Sequence, residues 1–319
     1  MAWVLRYVAH VWQTPWQTKT LYQKALAIFE EVGDEQGKVE TLYRLGWAAT
    51  QLGDYQEAEQ LFQNSLARAK KLGRQDITLF CLHELGYIQW VFGNFQTAEE
   101  YCRESIAIST EIGYPSVIAY AQRYLARIAL SQDDLETAEK YLQDSLAIYE
   151  ELGLRGMEAE ALAELGYVAI HANDFATASQ LAQDSLALCQ EQEYQAGQIE
   201  PYTVLGEVAL DLGDFREAET YFQKALQIAI EWWVPAYALH ALVGMVRLLA
   251  AIGEKEQALA LATFIIQHPA SWQWSKDNIA SLIAELEATL LPEVVKAAQT
   301  WGKEKKLEGV IEEFTKVVV

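Results

Sequence analysis

The chain has 319 residues, 51% of them hydrophobic, with 45 acidic against 24 basic side chains and a formal net charge of −21. That field repels phosphate backbones, so direct nucleic-acid binding is not expected; the charge reads as a solvated outer face, or else as an attraction for a basic partner. No stretch approaches the ~18 uncharged apolar residues of a membrane span, and the segment Met1–His10 carries Arg6 and lacks a small-residue cleavage site, so no signal peptide is expected either.

Read in chain order, the sequence repeats with a step of 40 residues. An early, degenerate helix pair covers roughly residues 2–31, is broken near Thr14-Pro15, carries Ala25-Leu26 and ends at Val32-Gly33. Leu45-Gly46 then recurs as Leu85-Gly86, Leu125-Ala126, Leu165-Gly166, Leu205-Gly206 and a faded Met245-Val246. Gly53-Asp54 recurs as Gly93-Asn94, Asp133-Asp134, Asn173-Asp174, Gly213-Asp214 and Gly253-Glu254, and Ala58 as Ala98, Ala138, Ala178, Ala218 and Ala258. Such a period means stacked supersecondary units. In the type unit, Leu42, Leu45, Ala49 and Leu52 form one helical stripe. Gly53 stops that helix and Asp54 caps the next. Tyr55, Ala58, Leu61, Phe62, Ser65, Leu66 and Ala69 form the second stripe, closed by Leu72-Gly73. Gly46 and Ala58 mark the close crossing of the paired helices.

Full pairs are expected at roughly 37–72, 76–112, 116–152, 156–192 and 196–231, with a decaying pair at 235–268. Past Pro269 the period is lost; a helix is expected over residues 276–290, and Pro292 starts a last helical stretch with a break near Gly302. Trp272, Trp274 and Trp301 read as a hydrophobic lid on the final repeat. The domains are thus an N-terminal degenerate pair at 1–36, the array at 37–268 and C-terminal capping helices at 269–319.

Chemistry-bearing motifs are absent. Gly33 to Val39 has the glycines and lysine of a phosphate loop, but its spacing is one residue short and no Ser or Thr follows Lys38. His83-Glu84 opens like a zinc-protease motif without its second histidine. The five histidines, His10, His83, His171, His240 and His268, never pair at i+4, and Cys81, Cys102 and Cys189 have no metal-like spacing. The cysteines read as small buried apolar residues in a reducing cytoplasm. Neither catalysis, metal nor cofactor is expected.

The landmarks Leu45-Gly46, Gly53-Asp54-Tyr55, Ala58-Glu59, Phe62 and Ser65-Leu66, and more closely Phe215 through Leu226, resemble the tetratricopeptide repeat. The resemblance implies an all-α, right-handed α-solenoid of stacked antiparallel helix pairs. The usual period is ~34, so both helices here run longer. This long form resembles the sensor arrays of bacterial signal-transduction ATPases, including maltose-regulon-activator-like regulators, and the spindle-orientation adaptors that bind peptide motifs. The tail, Ala297 to Lys303 and Leu307 to Glu313, resembles the endings of the bacterial regulators. In the family, the stripe opposite the packing face of each first helix lines a concave groove. Here that stripe is Tyr43, Trp47 and Thr50, then Phe80, His83, Tyr87 and Trp90, then Tyr120, Arg123 and Arg127, then Glu160, Tyr167 and His171, and finally Glu200, Glu207 and Asp211.

The aromatics and arginines of this stripe suit a protein or peptide partner, or a small ligand with an apolar body and an anionic group. Alternatively the aromatics pack between repeats and the arginines neutralise Glu160 and Glu164. The expected function is a non-enzymatic interaction or ligand-sensor module, as the sensor part of a bacterial regulator. The alternatives are a peptide-binding, co-chaperone-like adaptor and a structural spacer.

Overall fold

The computed structural model describes residues 15–315; the readings on Met1–His10 and on the first helix of the early pair lie outside them. The described residues form sixteen α-helices and one 3-10 turn, with no strand among them. The backbone divides into two compact units, one ending at Ile128 and the other starting at Ala129.

The first unit holds α1 (Pro15–Val32), α2 (Glu35–Gln51), α3 (Tyr55–Leu72), α4 (Gln75–Val91) and α5 (Phe95–Ile112), and the cut falls within α6 (Pro115–Ser131). Here α2 packs with α3 and α4 with α5, and the inner helices α2 and α4 also touch. The second unit continues with α7 (Leu135–Leu152), α8 (Arg155–His171), α9 (Phe175–Glu191), a 3-10 turn at Ala196–Gln198, α10 (Ile199–Asp211), α11 (Phe215–Glu231), α12 (Pro235–Ala251) and α13 (Lys255–Gln267). It closes with α14 (Gln273–Thr289), α15 (Pro292–Glu304) and α16 (Leu307–Phe314). In this unit α8 pairs with α9, α10 with α11 and α12 with α13, while α8, α10 and α12 touch in succession. Each unit is therefore helix pair stacked on helix pair.

The turns explain the spacing. Gly53, Gly93, Gly213 and Gly253 end their helices at φ of 76°, 78°, 82° and 93°, a left-handed conformation that side chains with a Cβ resist. Asp133 and Asn173 take the same slot at 62° and 59°, as their short polar side chains allow. At three of these turns an aspartate caps the next helix through its side chain. Asp134, Asp174 and Asp214 each accept from the backbone N–H three residues on, at 3.1 Å in every case. Asp54 stands at the cap position without that bond. Its carboxylate instead receives the Lys19 ammonium at 3.0 Å, which also reaches Glu57 at 2.6 Å.

Packing between paired helices depends on absent side chains. A Cβ on Gly46 would lie 2.6 Å from the Phe62 ring. Phe222 of α11 is held from two sides: a Cβ on Gly206 of α10 would meet it at 2.5 Å, and one on Gly244 of α12 at 2.3 Å. A second device recurs in the core. The hydroxyls of Ser65, Ser105 and Ser185 donate to the backbone carbonyls of Val39, Leu79 and Ala159 at 2.8, 3.0 and 2.7 Å. Each ties an outer helix to its inner partner and satisfies a buried polar pair. Cys81, Cys102 and Cys189 are buried and unpaired, as their apolar reading requires.

The C-terminal segment differs from expectation in two ways. The last helical stretch breaks at Lys305 and Lys306, whose backbones are extended, and not at Gly302. Gly302 lies buried within α15 because α15 crosses α13 closely; its Cβ would meet the Phe264 backbone nitrogen at 2.9 Å. The three tryptophans do not form one lid. Trp272 packs against Tyr237 and His240 with ring centres 5.2 and 5.3 Å apart. Trp274 also meets His240, at 5.1 Å. Trp301 packs edge-on against Phe314. Among the described residues no helix is long and apolar enough to cross a membrane.

Two glycine substitutions test this packing. Gly206→Ala drives a methyl into the Phe222 ring and should lower stability by about 1–3 kcal/mol. Gly156→Ala, in the first turn of α8, meets only Tyr194 at an ordinary 3.6 Å and should raise stability by about 0.4–1 kcal/mol. Thermal melts of the two variants beside the parent protein read both signs.

Candidate functional site

In the first unit, most of the predicted groove residues pack on one another. Tyr43 stacks on Phe80 with centroids 5.7 Å apart. Phe80 meets His83 edge-on at 6.3 Å, and His83 lies between Tyr120 and Tyr124, 5.9 Å from each. Tyr124 meets Tyr87 at 5.3 Å, Tyr87 meets Trp90 at 5.9 Å, and the Arg127 guanidinium lies 5.3 Å from the Trp90 ring centre. Trp47 stands apart, 41% exposed. Arg123 and Arg127 are 4% and 8% exposed, so the exposed arginine pair that the stripe implied is buried in the fold. Two titratable groups sit inside this aromatic cluster. His83 and Glu84 are both buried, with Nε2 and Oε1 3.6 Å apart. Burial pushes the Glu84 carboxyl up to about 8 and the His83 imidazole down to about 4. Both are therefore held neutral near pH 7.

The second unit contains a cavity of about 320 Å³, and Tyr167 and His171 line it. Inner helices α8, α10 and α12 supply most of its wall, and Trp274 and Asn278 of α14 complete it. Its base is buried: Tyr167, Glu207, His240 and Val243. Asn173 and Asn278 form an exposed rim. Four aromatic contacts organise the wall. His171 stacks on Trp274 at 6.3 Å, Tyr167 meets Trp274 edge-on at 6.2 Å, and His240 meets both Tyr167 and Trp274 at 5.4 and 5.1 Å. His240 is fixed by its two ring nitrogens: Nε2 lies 3.0 Å from the Tyr167 hydroxyl and Nδ1 3.4 Å from Ser275 Oγ.

Charge enters from α10 and α12. Arg247 donates to Glu207 through Nη1, and to Asp211 through Nη2 at 2.7 Å. Burial holds the Arg247 pKa below its ordinary value and the Asp211 pKa above its own. His171 is also lowered, chiefly by burial, with Asp133 at 4.0 Å pulling the other way. Among the described residues no group of three or more His, Cys, Asp or Glu could hold a metal ion.

Of the predicted stripe, then, Tyr43, Phe80, His83, Tyr87, Trp90, Tyr120 and Arg127 form one cluster in the first unit, and Tyr167 and His171 meet at the cavity of the second. Sequence reasoning placed Glu207 and Asp211 on the stripe but missed Arg247 and His240 as their neighbours. The signal was present: Arg247 is one 40-residue step beyond Glu207, and His240 one step beyond Glu200. The fading of the repeat landmarks past residue 235 concealed it.

Sequence comparison matches the tetratricopeptide repeat to residues 17–71, 42–111, 78–151, 117–191 and 157–231 in overlapping registers. The chain belongs to the tetratricopeptide repeat family. No curated protein matches it in sequence. Among solved structures, it resembles the Rap conjugation gene regulator of the plasmid pLS20 in complex with a Phr peptide. The TM-score is 0.65 at 14% identity, over 86% of this chain and 72% of that one. A Rap protein complexed with competence and sporulation factor gives 0.60 at 13% identity, over 92% and 81%. A signal-transduction ATPase with a tetratricopeptide-repeat sensor, from Pyrococcus horikoshii, gives 0.56 at 15% identity, over 94% of this chain. This chain spans 46% of that protein. At such identities the likeness is one of fold.

The buried His83–Glu84 pair gives this tetratricopeptide array a pH signature. An unfolded Glu84 titrates near ~4.3 and an unfolded His83 near ~6.5. Glu84, raised in the folded state, loses stability as pH climbs through about 8; His83, lowered, loses it as pH falls through about 4. Between ~4.3 and ~6.5 the two slopes oppose, and above that Glu84 acts alone. Stability should therefore fall by up to about 1.4 kcal/mol per pH unit between ~6.5 and 8. Glu84→Gln should flatten that fall, as urea midpoints at pH 6, 7 and 8 would read.

Proposed function

We propose that this tetratricopeptide array is a non-enzymatic recognition module, and that the cavity of its second unit takes an extended peptide segment of a partner. The observation that carries this reading is the set of unengaged polar groups around an open, aromatic-walled cavity. Among the described residues, the side-chain amides of Asn173 and Asn278 make no hydrogen bond, nor does Nε2 of His171. An amide both donates and accepts, which matches the alternating N–H and C=O of a peptide backbone. Tyr167 and Trp274 line the cavity with aromatic surface that a side chain can pack on. The Phr peptide complex of the pLS20 Rap regulator lends the reading support from the same fold. The likeness to an ATPase with a repeat sensor supports a finer role, the sensor part of a bacterial signal-transduction regulator. In that role, occupancy of the cavity would bias the packing of α8, α10, α12 and α14, which share its wall.

A small-molecule sensor is the second reading. It is favoured by the volume, which lies at the lower end of the ~300–1,000 Å³ typical of small-ligand pockets. The open rim favours a peptide, since a chain can enter and leave across it.

A peptide array tests this. Retained peptides should bind the double variant Asn173→Ala with Asn278→Ala about tenfold or more weakly, while the melting point stays within a degree or two of the parent; two lost hydrogen bonds account for that loss. Unchanged affinity in the double variant would remove the cavity from the reading.

A further inference from the structure

The charge balance of the cavity goes further than its shape. Glu207 and Asp211 place two carboxylates on α10, one helical turn apart, and one guanidinium answers both. Each carboxylate gives one oxygen to Arg247; the second oxygen of each has no partner among the described residues. Burial lowers the His171 pKa, which disfavours a positive charge there. Asp133, exposed beside His171, lies outside the lining, which carries two carboxylates against one guanidinium. The lining is therefore net negative, in a chain whose own net charge is −21.

We infer that the cavity accepts a cationic side chain, the ammonium of lysine or the guanidinium of arginine, presented by the partner peptide. This rests on the peptide-recognition reading above. The charged head would lie against the open oxygens of Glu207 and Asp211, and its methylene stem along the faces of Tyr167 and Trp274. A cation over such a ring is attracted by the negative π-face, and an apolar stem beside a charged head is how lysine and arginine cover aromatic surface. An anionic group would face two like charges and would have to pull Arg247 from two hydrogen bonds. Arg247 then has a defined part in recognition. It competes with the incoming cation for the same carboxylates, so it limits affinity while keeping those carboxylates from standing unpaired.

That competition gives the test an unusual sign. Peptides from the array are resynthesised with each lysine or arginine replaced by alanine, and affinities are read by fluorescence polarisation. Blocked Nα-acetyl-arginine amide, Nα-acetyl-glutamate amide and the free amine agmatine are titrated in parallel by NMR. One basic residue in each retained peptide should matter about tenfold. Asp211→Asn should weaken basic peptides several-fold, and Arg247→Gln should strengthen them several-fold. Raising the salt to 0.5 M should weaken them too. Nα-acetyl-arginine amide should shift resonances where the glutamate amide does not; agmatine binding as well as the blocked arginine would mark the site as one for free amines rather than for a peptide. Retained peptides without a basic preference, or a loss of binding in Arg247→Gln with none in Asp211→Asn, would overturn the cation assignment and leave peptide recognition standing. An array that retains no peptide overturns both. Should Arg247→Gln melt early, Arg247→Lys keeps one ion pair, and the Asp211→Asn and salt arms decide.

Discussion

The close approach of paired helices governs the rest of this molecule. Phe222 can sit between α10 and α12 only because Gly206 and Gly244 have no side chain. Interiors pack at the density of organic crystals, so even one methyl at such a contact is felt. The left-handed turns serve the same end. They fold each outer helix back onto its inner partner at a fixed point, and the cap on the very next residue starts the following helix in register. A hydroxyl then ties outer helix to inner carbonyl. With the backbone fixed by these few contacts, the remaining face of each inner helix is released from packing duties and can carry recognition.

How far the two inner faces use that freedom differs. In the first unit the stripe closes on itself, ring against ring, with a buried histidine and glutamate inside it. Such a cluster is mainly apolar mass, and its two titratable groups are neutral because burial disfavours their charged forms. In the second unit the stripe turns polar. Tyr167 and His240 are anchored to each other, but Asn173 and Asn278 stand at the exposed rim, and one oxygen each of Glu207 and Asp211 has no partner among the described residues. Satisfied groups build structure; unsatisfied ones at an open cavity define what can be bound.

The helix pairs were legible because glycine, aspartate and alanine recur with a fixed step, and each has a local physical duty at its place. The breakpoint near Gly302 was misread because glycine has two uses. As a helix stop it shows a positive φ; as a contact residue it shows only in three dimensions, here against the Phe264 backbone. Asp54 stands at the cap as its place in the repeat requires, but Lys19, 35 residues away, takes its carboxylate in place of the capping bond. The stripe residues were identifiable by register, but not their burial. Nothing in the composition of Phe80, His83 and Tyr120 says whether such rings face a groove or each other. Arg247 was hidden by the decay of the landmarks around it, although its own register was intact.

That register has an evolutionary consequence. Tyr87, Arg127, Tyr167, Glu207 and Arg247 occupy the same place in successive repeats, yet they include an aromatic, an acid and a base. None of the recurring glycines, alanines or serines lies at that place. The position is thus a free letter in an otherwise fixed word. Exchange of one 40-residue module for a homologous one would replace a letter without disturbing the grammar around it. Recombination between such genes could then move an array from one ligand to another in single steps, each leaving a foldable protein.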